Sequence, residues 1–155
     1  MAYSSPLRQA ILRGAWLLVG IMALSFLANT PLAIRPDVLL VGALALAFFI
    51  DDVYVFMMWL LAELVWAKYA PSPSYELLFI GIMGIVVFFI IRSFVLRPAP
   101  ILFIGAILVG TALFWLVFSF AHTFVAFPFL MEFLYNTAVG MILFAFGLWL
   151  KKKFS

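Results

Sequence analysis

Residues 37–68 read DVLLVGALALAFFIDDVYVFMMWLLAELVWAK, two apolar runs, Val38–Ile50 and Val53–Ala67, hinged on the paired acids Asp51 and Asp52. As one helix, this stretch would carry two adjacent carboxylates through hydrocarbon, which is expensive. As two helices, it puts them at a tight interfacial turn. At about 1.5 Å per residue each helix then reaches only about 20–23 Å across a roughly 30 Å core. The sequence predicts two short helices.

The rest of the chain sets the solvent. Of 155 residues, 69% are hydrophobic and 10% charged, where soluble domains carry about 45–50% and about 25%. A chain this short cannot hide so much apolar surface in one soluble core. The expected solvent is lipid, which excludes a cytosolic enzyme, a nucleic-acid reader, a disordered tail and a disulfide-stapled module. There is no cysteine for a disulfide, a thiolate nucleophile or a thiolate metal site, and a single histidine, His122, cannot supply a histidine cluster.

Working outward, the apolar runs are Ile11–Ala28, Val38–Ile50, Val53–Ala67, Leu77–Ile91, Ile101–Phe120 and Phe133–Leu150. Pro71–Ser74, Arg97–Pro100 and the Pro128 region punctuate them. The first run could pass for a signal peptide, but a cleavage site wants small residues and Phe26 lies two before Ala28. It reads as a retained helix. Six spans put Arg8, Arg13, Arg92, Arg97 and Lys151–Lys153 on one side, with only Arg35 and Lys68 on the other. Five spans make the same count six against three. The positive-inside bias prefers six, with both termini cytoplasmic. Trp16, Trp59, Trp66, Trp149, Tyr3, Tyr54, Tyr69 and Tyr75 fall mostly near run ends, where amphipathic rings sit at headgroups. Phenylalanine, an ordinary lipid-facing side chain, decides nothing at this level. The expected fold is an all-α integral membrane protein, one polytopic domain formed by a compact bundle of six transmembrane helices.

Polar residues inside such a bundle are the candidate sites. Glu63 shares a helical face with Trp59 and Trp66. It reads either as a partner-facing or proton-carrying carboxylate, or as a group near the outer interface. Glu132 is expected to open the last helix, its charge complementing the positive helix end. Glu132, Asn136 and Gly140, with Gly147 further on, make one polar and small-residue stripe. Such stripes let helices approach closely and hydrogen-bond, and structural packing is the first reading of this one, with a partner surface as the other. The pairs Ala43/Ala47 and Ala106/Gly110 read the same way. Arg35-Pro36-Asp37 reads as a helix start, with proline in the first turn and the acid on the positive end. Arg92 and Arg97 snorkel to the cytoplasmic interface, and His122 reads as a loop histidine.

None of this makes an enzyme. A membrane aspartyl protease needs carboxylates converging from two helices, and Asp51-Asp52 are neighbours in sequence. H-E-x-x-H and a Gly-Lys-Ser/Thr phosphate loop are both missing. No catalytic, metal or cofactor site is expected.

The layout resembles the rod-shape-determining MreD family. The likeness rests on six short hydrophobic helices in about 155 residues and Arg35-Pro36-Asp37-Val38-Leu39-Leu40 opening the second helix. Glu132-Phe133-Leu134-Tyr135-Asn136 in the last helix and the Lys151-Lys152-Lys153 tail add to it. The middle third departs, with Asp51-Asp52 and Glu63 among Met and Trp where many members carry a Gly-rich, Asp-containing stretch, so no site carries over there.

The resemblance implies a non-enzymatic scaffold subunit of the bacterial cell-elongation (peptidoglycan synthesis) machinery in the inner membrane. It would associate with a bitopic MreC-like protein, and through it with MreB and a RodA-type synthase. It also implies a fold similar to the substrate-binding subunits of energy-coupling-factor transporters. That supplies the alternative, a subunit that captures a vitamin or lipid-like molecule. On the scaffold reading, partner contact falls to Glu63, Glu132, Asn136 and Gly140, with Arg35 and Asp37 at the start of the second helix. Asn136→Leu or Gly140→Leu should then weaken partner recovery while sparing insertion.

Overall fold

The Asp51-Asp52 pair does separate two helices. The computed structural model describes residues 6–28, 37–67, 74–94, 98–118 and 126–154. These form six helices, α1 (Pro6–Ala28), α2 (Val38–Phe49), α3 (Val53–Ala67), α4 (Ser74–Ser93), α5 (Pro100–Phe118) and α6 (Ala126–Lys153). Of these, α1, α4, α5 and α6 are long and apolar enough to cross a membrane; α2 and α3 are shorter apolar helices.

The short α2 is the axis of the molecule. Every residue from Leu40 to Ile50 is buried, and all five other helices pack against it. They close a ring in the order α1, α3, α4, α5, α6 and back to α1. An all-round apolar helix can be wrapped by lipid or by protein, and here protein wraps it. The contacts fix direction. Gly42 of α2 meets Glu63 of α3 and Ile21 of α1, while Gly140 and Gly147 of α6 meet Val41 and Phe49. Thus α1, α3 and α5 run against α2, and α4 and α6 run with it. Both ends of the described chain lie at the same end of the bundle.

Capping explains the α2–α3 corner. Asp52 Oδ1 accepts from the N–H groups of Tyr54 and Val55 at 2.9 and 3.0 Å, satisfying first-turn donors of α3. Asp51 takes Arg92 at 2.9 Å and Arg13 at 3.5 Å. Arg92 also donates to the carbonyl of Ile50, at the end of α2, at 2.6 Å and lies over the Phe88 ring. One corner thereby ties α1, α2 and α4 together. Arg92→Met is expected to cost about 1–2 kcal/mol, mostly from the carbonyl left without its charged donor. Asp51→Asn should cost less than about 1 kcal/mol, because that carboxylate is half in solvent. Unfolding both variants in mixed micelles checks the order.

Phenylalanine carries more than the sequence suggested. Phe48, Phe49, Phe56, Phe88, Phe103 and Phe144 are all buried. Phe48 meets Phe103 edge-on at 5.0 Å, Phe144 meets both Phe49 and Phe103 at 5.3 Å, and Phe56 stacks on Phe88 at 4.3 Å. Such pairs add about 0.5–1.5 kcal/mol beyond area burial. These rings fill the half of the core nearer the basic end.

Two boundaries need correction. The last helix begins at Ala126, not at Phe133. Pro128 had read as a break, yet it sits in the first turn, where a missing N–H breaks no intrahelical bond. Glu132 therefore does not open the helix; it lies nearly two turns in. The first helix likewise begins at Pro6, ahead of Ile11.

Candidate functional site at the acidic end

Charge is segregated along the bundle. The described cations, Arg8, Arg13, Arg92 and Lys151–Lys153, all belong to the end that holds Asp51 and Asp52. The opposite end carries Asp37, Glu63, Glu76 and Glu132, with no lysine or arginine there among the described residues.

Asp37 is the hub. It caps α2, its Oδ1 accepting from the Leu40 N–H at 2.9 Å. Its own N–H donates to Asn136 Oδ1 of α6 at 2.7 Å. Asn136 in turn donates through Nδ2 to Thr111 Oγ1 of α5 at 3.1 Å. Asn136 and Thr111 are both fully buried, so one polar chain joins three helices in the interior. One turn from Asn136, Glu132 accepts from Trp115 Nε1 at 2.6 Å, and Trp115 meets Phe129 edge-on at 6.1 Å. Burial pushes the Asp37 carboxyl up to about 6, against the pull of the Leu40 and Leu39 N–H groups. The Glu76 carboxyl pushes Asp37 the same way.

Glu63 is the outlier. It is 0% exposed, and neither carboxylate oxygen has a hydrogen-bond partner among the described residues. The carboxylate presses on Gly42, where any Cβ would collide with it and with Ile21 at 3.0 Å. Its helical neighbours Trp59 and Trp66 turn toward α1. The Trp59 indole covers Gly14 and Trp66 meets Phe26 at 6.4 Å.

These positions revise the sequence-level expectation. Glu63, Asn136 and Gly140 are not presented to a partner but face inward. Gly140 packs against Ile107, Phe103 and Val41. The stripe is the inner seam of α6 with α2 and α5, as its packing reading has it, and not an outer contact surface. The structure brings Asp37, Asn136 and Glu132 together with Glu63 at one end. Arg35, like Pro36, Lys68, Arg97 and His122, lies outside the described residues.

Sequence reasoning missed Thr111 and Trp115. They stand four apart on α5, as Glu132 and Asn136 do on α6, so two polar pairs of equal spacing in consecutive helices were the available signal. It also missed the Arg13–Asp51–Arg92 cluster, since nothing in the spacing brings those three helices to one corner. Among the described residues no group of three or more His, Cys, Asp or Glu is placed to hold a metal ion. A scan of protein-family models, a search of curated proteins and a search of solved structures each return no match for this chain.

Proposed function

We propose that this chain is a non-enzymatic scaffold subunit of a bacterial cell-elongation complex, an MreD-like protein that spans the inner membrane six times with both termini cytoplasmic. Its direct partner is a bitopic MreC-like protein, which links it to MreB and a RodA-type synthase. The observation that carries the reading is the joint between Asp37 and Asn136. Two of the segments behind the family resemblance meet where Asp37 and Asn136, 99 residues apart, join in a 2.7 Å hydrogen bond, as parts of one structural device would. The buried α2 supports the same reading, because protein fills the bundle axis where a carrier would need room for its cargo. The basic end, with both ends of the described chain, fits the cytoplasmic side. Since Glu63, Asn136 and Gly140 are turned inward, the partner takes an outward helix face.

Gentle solubilisation of the tagged protein from its native membranes, followed by mass spectrometry, tests this. An MreC-like bitopic protein together with the elongation synthase is the expected result. ATPase subunits of an energy-coupling-factor transporter, or a tightly bound vitamin, would overturn it.

A further inference from the structure

Lys152 and Lys153 are cations that the fold leaves without an acid. All six acids of the sequence lie among the described residues. Four stand at the opposite end. Asp51 is shared by Arg13 and Arg92, which leaves that corner one positive charge in excess, and Asp52 caps α3. Among the described residues neither lysine has a carboxylate within ion-pair distance. A run of lysines at a membrane surface says by itself only which side it faces. The second observation is what stands beside Lys153.

Its ammonium lies over the Trp149 ring at 4.7 Å, and Trp149 stacks on Phe146 at 5.8 Å. A Cβ on Gly20 of α1 would meet that Phe146 ring at 3.2 Å, so α1 and α6 touch there. The two helices are antiparallel and keep step on either side of this contact. One turn toward the basic end come Trp16 on α1 and Trp149 on α6, and two turns bring Arg13 and Lys153. The indoles flank the seam at 47% and 51% exposure, and toward the membrane centre the exposed Val19 and Ile142 continue it. Cation, indole and aliphatic side chain follow one another in the order of phosphate, headgroup boundary and acyl chain in a leaflet.

We propose that the α1–α6 seam at the basic end binds one anionic phospholipid, its phosphate on Lys153 and its acyl chain along Val19 and Ile142. Trp149 holds the lysine in place by cation–π attraction, and Arg13, already engaged by Asp51, adds its field from behind. A zwitterionic lipid carries its own cation beside the phosphate and gains far less from this field. The site needs only that the chain spans a bilayer, so it stands or falls separately from the scaffold reading.

Native mass spectrometry of the protein in detergent, titrated with dioleoylphosphatidylglycerol or dioleoylphosphatidylcholine, tests the site. A single adduct that saturates is expected with phosphatidylglycerol and not with phosphatidylcholine. Lys153→Gln should weaken it about fivefold, the worth of one lysine at an anionic surface, and Trp149→Leu about threefold. Lys153→Arg, which keeps the charge, should keep the adduct. Arg8→Gln removes the same charge at the same end, but from an exposed position further out along α1 and turned away from the Gly20 face, and should change affinity less than about twofold. Lys153 and Trp149 are exposed, so neither variant opens the core. Equal retention of the two lipids, phosphatidylglycerol adducts that rise without saturating, unaltered affinity in Lys153→Gln, or an equal loss in Arg8→Gln would overturn the proposal.

Discussion

Gly140→Leu is expected to disrupt the bundle, costing about 3 kcal/mol, the upper range for overpacking a filled core. A Cβ at this position would run into the end of Ile107, with Phe103 at 3.2 Å and Val41 at 3.3 Å. Ile107 can yield by rotating its terminal carbon, so Gly140→Ala should cost far less. Leucine adds three more carbons, with α2 on one side and α5 on the other. The α2 side cannot retreat, because α2 is enclosed by five helices. Gly105 is the internal control, since a Cβ there meets nothing within 4 Å. Gly105→Ala should stabilise α5 by about 0.5–1 kcal/mol through helix propensity alone. Unfolding by SDS in mixed micelles, followed by helical circular dichroism, gives both values on one scale.

Asn136→Leu is expected to cost about 2–4 kcal/mol. Leucine keeps the branched outline of asparagine but is bulkier, so some of this cost is overpacking at a fully buried position. It leaves the half-buried Asp37 N–H and the buried Thr111 hydroxyl without their partner, at about 1–3 kcal/mol for a buried group left unmade and less for the half-buried one. Polar contacts between helices in lipid are often worth less, about 0.6–2 kcal/mol, which sets the lower bound. Thr111→Val separates the two losses. It removes only the Asn136 to Thr111 bond, so it should cost about half as much. Both Gly140→Leu and Asn136→Leu should thus reduce partner recovery through loss of the fold, whereas the sequence alone suggested loss of a partner surface with insertion intact.

That reversal shows what the sequence could carry. The existence of six helices was legible, because run lengths and the Asp51-Asp52 pair are local quantities with large penalties attached. The polar and small residues of α6 were also legible as a stripe. Their direction was not. Small residues allow close approach to any helix, and nothing in the spacing of Asn136 and Gly140 says whether that helix belongs to the same chain. The same ambiguity hid the role of α2. Leu40–Ile50 carries no polar face, so hydropathy reads protein and lipid surroundings alike. The start of α6 was misplaced because Pro128 marks a helix start as readily as a helix break. Glu63 was legible as an expensive residue, and its isolation became visible only with Gly42 and Ile21 beside it.

The most direct measurement is carbene footprinting from the lipid phase, with a photoactivated diazirine lipid and residue-level mass spectrometry of the reconstituted protein. If α2 is the enclosed axis, peptides covering Val38–Phe49 should carry essentially no label, while outward residues such as Leu61, Leu108, Val109 and Ile142 are modified. Labelling along α2 at the level of those outward residues would contradict the fold described here and return α2 to the lipid.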